Sequence, residues 1–369
     1  MKKILFLTTY SSPYRVRFFD ELGKQAEVTV LFSDRKEAQS HRAGQWFEDS
    51  KGYFRSVQLE KSLCTVHGKQ LCRDVLSWLK KPWDHIIICG YSSPTSILAM
   101  KYLRMKKIPF CLEVDGGVIR PDSGLKYRFK KSLVGGASGW LASGEATKKY
   151  LVHYGAKPEK TFTYPFTSLM ETDLRTQPAS QEEKLAIRQQ LSIEESRVIL
   201  SVGQFIHRKG IDVLLKAAAE LPSDVGIYIV GGLPTEEYLQ MHRELGLTNV
   251  HFAGFKKKEQ LQQYYLASDL FVLPTREDIW GLVINEAMAC GLPVVTTDQC
   301  VAGVELVENG VSGYIVPAGA PEPLAEKMLA VLKGNPQAMG AAALQKIKPY
   351  TIENMARVHM DILEGRKEP

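Results

Sequence analysis

Two rhythms of apolar positions divide the chain. Short apolar runs recur at 3–8, 27–32, 86–89, 109–114 and 140–143, and again at 197–203, 227–230, 250–252 and 270–273. Most of them stop at a glycine, proline or serine, as buried strands do. Between them lie stretches whose apolar residues are three or four apart. One runs from Tyr14 to Leu22 and is ended by Gly23; another runs up to Tyr154 and is ended by Gly155. A third follows Gly210 with Val213, Leu214 and Ala217 turned inward, and a last one covers 351–363. Strand, helix and strand in alternation predict parallel sheets with helical crossovers, an α/β fold. A polar, Gln/Glu-rich stretch at 171–190 interrupts the alternation and reads as a linker.

Length and composition fit this pattern. The 369 residues suffice for two domains with their own cores, and 44% apolar with 24% charged is ordinary for a globular chain. The opening M-K-K-I-L-F-L has too short an apolar run for a secretory signal. No segment approaches the roughly 20 apolar residues that span a bilayer, so a cytoplasmic protein is expected. Six cysteines show neither a C-x-x-C pair nor a metal-ligand spacing, which argues against disulfides and zinc. Charge is split between the halves: residues 1–175 carry +12 and residues 176–369 carry −6. A basic half suits an anionic surface or substrate. No helix-turn-helix, finger or aromatic-rich RNA signature accompanies it, so nucleic acid is not expected as a partner.

The stretch richest in chemistry is T-R-E-D-I-W-G-L-V-I-N-E-A-M-A-C-G-L-P-V-V, residues 275–295. A strand stops at Pro274, a polar loop follows, and Gly281 opens a helix with Leu282, Ile284, Asn285, Met288 and Ala289 spaced for burial. In α/β proteins such a helix start is a place for phosphate, because free N–H groups and the positive end of the helix dipole point there. Two acids eight positions apart, Asp278 and Glu286, flank it. Spacing alone leaves two readings: carboxylates reaching hydroxyls on either side of a diphosphate, or Asp278 as a helix cap with Glu286 solvated. A second loop, after Gly203 and Gln204, brings Arg208-Lys209-Gly210 to the start of another helix, where two cations suit a diphosphate.

This wording closely resembles the donor-site signature of glycosyltransferase family 4, a family of retaining GT-B enzymes within glycosyl transferases group 1. There two glutamates eight apart precede A-M-A-x-G-x-P-V-V; here the first is Asp278. The family's V-G-R followed by K-G matches V-G-Q, with Gln204 for arginine and Lys209 in register, and Arg208 stands next to it as a compensating cation. The resemblance implies two Rossmann-like domains with parallel sheets facing a central cleft. Their bounds would be 1–170 for the acceptor, a linker at 171–195 and 196–350 for the donor. The helix at about 351–369 would cross back to the first domain. It implies that Glu286 holds the nucleotide ribose, Asp278 the donor sugar, and Lys209 and Arg208 the diphosphate. Gly203, Gln204, Gly254, Phe255, Trp280, Gly281 and Leu282 would line the donor. No D-x-D occurs in the chain, so metal independence is expected and no cofactor beyond the nucleotide-sugar substrate.

The first half departs further from the family. The loop after the first strand reads T-T-Y-S-S-P-Y-R, with no glycine where relatives carry a glycine-rich loop. Arg15 in it could meet phosphate. C-L-E-V-D-G-G ends a strand at 115–117, where Asp115 falls near the family's histidine; a plain turn and a catalytic cleft role stay open. Residues 34–61, with Trp46, read as a long mobile connection near the acceptor, and P-F-T-S (165–168) replaces the usual P-N-G-V-D. In G-L-K-Y-R-F-K-K-S-L-V (124–134), Leu125, Phe129, Leu133 and Val134 share a face amid Lys126, Arg128, Lys130 and Lys131. Two readings stay open: a helix packed on the sheet with a solvated basic face, or, with the charge split, weak peripheral association with the anionic inner face of a cell membrane. The expected activity is hexosyl transfer (EC 2.4) from a UDP- or GDP-linked sugar to a saccharide or lipid-linked saccharide in cell-surface polysaccharide assembly. A sugar-nucleotide epimerase on the same fold and a non-catalytic binding protein are the alternatives.

Overall fold

The computed structural model describes residues 1–34, 51–119, 121 and 124–369. These fall into two compact units, Met1–Glu171 with Tyr350–Pro369, and Thr172–Pro349.

The first unit is built on strands β1 (Lys3–Thr8), β2 (Glu27–Phe32) and β3 (Arg55–Gln58), a separate antiparallel hairpin of β4 (Ser62–Val66) and β5 (Lys69–Cys72), then β6 (His85–Cys89), β7 (Cys111–Val114), β8 (Gly139–Ala142) and β9 (Thr161–Thr163). Apart from the hairpin, all pair in parallel in the order β3-β2-β1-β6-β7-β8-β9. The interior of β1 and β2 is buried throughout, because helices cover both faces of a parallel sheet; unbroken apolar runs are what such strands need. β3 escaped the pattern because it is an edge strand with most of its side chains in water, so the stretch expected to be a long connection contains a strand. The rest of that expected connection, including Trp46, lies largely outside the described residues.

The second unit carries β10 (Arg197–Val202), β11 (Val225–Val230), β12 (Val250–Gly254), β13 (Leu270–Leu273), β14 (Val294–Thr297) and β15 (Gly313–Val316). Its order is β12-β11-β10-β13-β14-β15, parallel throughout. In both sheets the chain moves outward from the first strand, then returns to that strand's other side. Loops on either side of the reversal leave in opposite directions and open a crevice at the carboxyl ends of the strands. The reversal falls between β1 and β6 in the first unit and between β10 and β13 in the second.

Two further elements complete the units. The polar stretch 171–195 carries the helix Gln181–Leu191, capped by Ser180 and fastened to the second unit. Its Lys184 and Arg188 both reach the buried Asp269, at 2.7 Å each. The last helix, Ile352–Leu363, lies on the helix Pro13–Gly23 of the first unit, where His359 packs on Phe18 with ring centroids 4.7 Å apart. Ile352 N–H donates to the Leu169 carbonyl at 2.7 Å.

Candidate functional site

The second unit's crevice is formed by the loops that follow β10 and β13, and these lie directly on one another. Gly210 opens the helix Ile211–Ala218 with φ 68°, and a Cβ there would sit 2.1 Å from the Pro274 carbonyl oxygen. Only glycine permits both the left-handed φ and that approach. Arg276 N–H and the Thr275 hydroxyl both donate to the Arg208 carbonyl, at 2.8 and 2.9 Å. The Arg276 guanidinium grips both oxygens of Asp212, at 2.7 and 2.6 Å, a bidentate pair that fixes one loop to the helix after the other.

On this support stand the predicted side chains. Lys209 Nζ donates to Asp278 Oδ2 at 2.5 Å, and Arg208 Nη1 lies 3.5 Å from Asp278 Oδ1 while donating to the Glu277 carbonyl at 2.8 Å. Lys209 passes beside Gly203, where a Cβ would make ordinary contact with its chain at 3.6 Å. Asp278 is therefore engaged by the cations and does not cap the following helix Leu282–Ala289, whose N-cap is Gly281 with no side-chain cap bond. The helix start thus has no cap from its own N-cap side chain, and the Ile284 N–H donates back to the Gly281 carbonyl at 2.9 Å. Gly281 holds φ 102°, and a Cβ would meet Cys300 Sγ at 2.8 Å. Burial pushes the Cys300 thiol up to about 12, so it stays neutral beside Asp278.

Glu286 is half-buried and separate from this pair. It accepts from the Tyr265 hydroxyl at 3.0 Å, and burial holds that phenol well above its ordinary range, so it remains a donor. Phe255, 52% exposed, follows β12 just after Gly254. Two exposed apolar residues without a sequence signal, Ile206 and Ile279, come from the loops after β10 and β13. Gln204 contributes its carbonyl to the turn, accepting from Ile206 N–H at 2.9 Å. Trp280, expected to line the donor, has a buried ring whose N–H donates to Asn285 Oδ1 at 2.9 Å, bracing the loop.

In the first unit Asp115, just past β7, belongs to a buried polar cluster. Arg15 donates through Nη1 to Glu113 Oε1 and through Nη2 to Asp115 Oδ1, both at 2.5 Å. Tyr164 Oη lies 3.2 Å from each of those oxygens. Against the cost of burial, the Arg15 guanidinium holds the Glu113 carboxyl below its ordinary range, whereas burial keeps Asp115 above its own. Arg15, expected to meet phosphate, is buried with both terminal nitrogens committed to carboxylates. An arginine near a proline-initiated helix and an E-x-D strand end were the visible signals; that they meet across the sheet was not readable.

The basic helix Gly124–Val134 also differs from expectation. Only Leu133 and Val134 are buried; Leu125 is 84% and Phe129 50% exposed. One apolar face is thus split into an inward end and an outward one, with Lys126 and Arg128 exposed beside the latter.

Comparison with known proteins gives the following. Residues 183–346, which include Lys209, Asp278 and Glu286, match the model of the family described as Glycosyl transferases group 1. A D-inositol 3-phosphate glycosyltransferase from Mycolicibacterium vanbaalenii is 36% identical over 187 residues, 46% of this chain and 41% of that protein. The chain spans less than half the length of the curated relatives it matches first, 41%, 40% and 49%. Among solved structures, Anabaena Alr3699/HepE in complex with UDP superposes with a TM-score of 0.77 at 20% identity, covering 99% of this chain and 100% of that one. Sucrose-phosphate synthase from Thermosynechococcus elongatus gives 0.76 at 19% identity, covering 99% of each. The fold is accordingly α/β with parallel sheets in two domains, as in GT-B glycosyltransferases.

Proposed function

We propose that the chain is a retaining glycosyltransferase of family 4, transferring a hexosyl group from a UDP- or GDP-linked sugar to a hydroxyl of a saccharide or lipid-linked saccharide. The observation that carries this reading is the Lys209–Asp278 contact at 2.5 Å, made by loops from the two strands at the reversal of the second unit's sheet. A diphosphate brought to that point meets Lys209, Arg208 and the N–H groups at the start of helix Leu282–Ala289. These stabilise the charge that develops on the departing group, and such preorganised electrostatics usually does most to lower the barrier. Asp278, released from Lys209, turns to the hydroxyls of the sugar, and Glu286 to the ribose. Ile206, Phe255 and Ile279 are exposed apolar residues just after β10, β12 and β13, and such side chains suit a nucleobase. Positive charge comes from side chains, so no divalent metal is required. Asp115 serves the acceptor side, as a carboxyl able to exchange a proton with the reacting hydroxyl.

Exposed Leu125 and Phe129 beside Lys126 and Arg128 support a further part of the reading, peripheral association with an anionic membrane face on the cytoplasmic side. No described helix is long and apolar enough to cross a membrane.

The test is thermal stabilisation by a panel of nucleoside diphosphates and nucleotide-sugars, with and without EDTA, on the wild type and Glu286→Ala. A ligand at a hundredfold excess over its dissociation constant adds about 2.7 kcal/mol. A selective shift that survives EDTA and is lost in the variant supports the donor site. Stabilisation with release of an isomerised sugar would favour an epimerase instead, and absence of any shift would sink the transferase.

A further inference from the structure

The buried cluster of the first unit has a charge account that does not close with all its groups in their ordinary states. Arg15 supplies one positive charge to two carboxylates, Glu113 and Asp115, and Glu113 is wholly buried. An extra negative charge here is costly beside the buried Glu113 and is only partly relieved by water at Asp115, whose side chain is 31% exposed, so one added proton would ease the cluster. Tyr164 points to the same count. Its oxygen is 3.2 Å from Glu113 Oε1 and 3.2 Å from Asp115 Oδ1, yet a hydroxyl has a single proton to donate. With both acids ionised, one of these contacts would set an oxygen lone pair against a carboxylate. With Asp115 protonated, Asp115 donates to Tyr164 and Tyr164 donates to Glu113, and both contacts are satisfied.

A second place for the proton is on the far side of Glu113. His359 is fully buried, and its Nδ1 lies 2.8 Å from the Met355 carbonyl. A carbonyl only accepts, so Nδ1 carries hydrogen and Nε2 is a bare lone pair in the neutral ring. That Nε2 has no hydrogen-bond partner among the described residues and faces Glu113 Oε2 at 3.9 Å. An imidazole lone pair directed at a carboxylate is unfavourable, and a proton between them reverses the sign.

We propose that Asp115, Glu113 and His359 share one exchangeable proton whose end positions are the Asp115 carboxyl and His359 Nε2, making Glu113 and His359 positioning residues for the ionisation of Asp115. When Asp115 releases its proton, one proton taken up on Nε2 restores the charge, and the cluster stays neutral in both forms. Burial holds the imidazole below its ordinary range and the Asp115 carboxyl above its own, so at rest the proton sits on Asp115 and Nε2 is its second place. Burial opposes protonation of the imidazole most and Glu113 favours it, while Arg15 and Lys367, from the first helix and the chain end, oppose it more weakly. Cys89 donates to Glu113 Oε2 at 3.6 Å and is kept a neutral thiol by burial. Tyr164 packs on the ring at a tilt of 59°, centroids 4.5 Å apart, and remains a neutral phenol. Only the use of Asp115 as a proton carrier rests on the transferase reading; the shared proton does not.

The experiment is therefore made on the ligand-free full chain, by following the Asp115 carboxyl carbon and the His359 ring nitrogens by NMR against pH. In His359→Gln the Asp115 midpoint is expected to rise by about one unit, the size at which two sites titrate as a pair. In Asp115→Asn the His359 midpoint is expected to fall by the same amount, because coupling is reciprocal. A midpoint that stays in place in either folded variant overturns the proposal. Should His359→Gln fail to fold, Asp115→Asn reads the same coupling from the partly exposed end.

Discussion

Lys209 and Asp278, 69 positions apart in the chain, meet with Nζ 2.5 Å from Oδ2. Each is the partner the other needs before a ligand arrives, and a diphosphate must compete with Asp278 for Lys209. The two carboxyl-side loops of the second sheet therefore carry a cation and an anion that exchange partners when the site fills.

That exchange makes the two variants differ. Lys209→Ala removes a charge-assisted hydrogen bond worth about 1.5–3 kcal/mol, so nucleoside diphosphate should bind roughly ten- to a hundredfold more weakly by calorimetry. Asp278→Asn frees Lys209 from its competitor, so nucleoside diphosphate should bind no more weakly, while the nucleotide-sugar loses its sugar contact and turnover falls. Equal losses of diphosphate binding in both variants would contradict the exchange.

Tyr265 sets the direction of Glu286 through the bond at 3.0 Å. Tyr265→Phe removes that donor and keeps the ring, which is buried. The expected cost is about 1 kcal/mol in nucleotide affinity, with unchanged affinity for inorganic diphosphate, which has no ribose. A fall in both would place Tyr265 in the packing of the unit alone.

Gly210 should tolerate no side chain. Alanine must adopt φ 68° and overlap the Pro274 carbonyl at 2.1 Å. Gly210→Ala is expected to destabilise by more than about 1 kcal/mol, lowering Tm by roughly 3 °C or more for a unit of this size. Donor binding should fall with it, since Lys209 is the preceding residue. An unchanged melting curve would show that the two loops are free to part.

These relationships were legible in the sequence to different depths. Strand-helix alternation gave the parallel sheets because buried strands are mostly apolar, as the interiors of β1 and β10 and the whole of β13 are. β3 and the β4–β5 hairpin are mostly exposed, so neither period marked them. Lys209, Arg208 and Asp278 stood out because cations and acids gather at loop ends before glycine-led helices. The orientation of Trp280 was not readable, because an indole in a site loop can face either way; here Asn285 takes its N–H into the core. Tyr164 and His359 were invisible, since a lone tyrosine and a lone histidine acquire meaning only when the fold sets them around Glu113.

The first unit should show an unusual pH response through Asp115. A carboxyl whose folded pKa is raised, here mainly by burial, binds a proton more tightly in the folded than in the unfolded chain. Its contribution to stability is full below the unfolded value of about 3.9 and is lost as pH rises through the raised folded value. Glu113, depressed by Arg15 in spite of its burial, acts in the opposite sense, losing its contribution as pH falls. Asp115→Asn should therefore gain stability over the wild type progressively as pH rises above about 4, as measured by denaturant unfolding at a series of pH values. A constant difference between the two proteins across that range would mean that Asp115 ionises as freely folded as unfolded.

The helix Gly124–Val134 yields the last expectation, which bears on where the protein works. Its inner end, Leu133 and Val134, is anchored in the core, while Leu125 and Phe129 stand in water one turn apart with Lys126 and Arg128 alongside. Apolar side chains held in water by an anchored helix gain by entering a lipid interface, and the neighbouring cations gain about 1 kcal/mol each near an anionic surface. Vesicles of phosphatidylcholine with phosphatidylglycerol should therefore bind the protein, and phosphatidylcholine alone should bind it far less. Replacing Lys126 and Arg128 by Gln should weaken binding to the anionic vesicles about thirtyfold, the equivalent of about 2 kcal/mol. Raising salt should weaken the wild type in the same direction, because charges beyond about 10 Å are screened at 0.1 M. Leu125→Ser with Phe129→Ser should lose binding at both low and high salt, since burial of apolar area does not depend on screening. Equal binding to both kinds of vesicle, or binding that survives all four substitutions, would assign these residues to another partner.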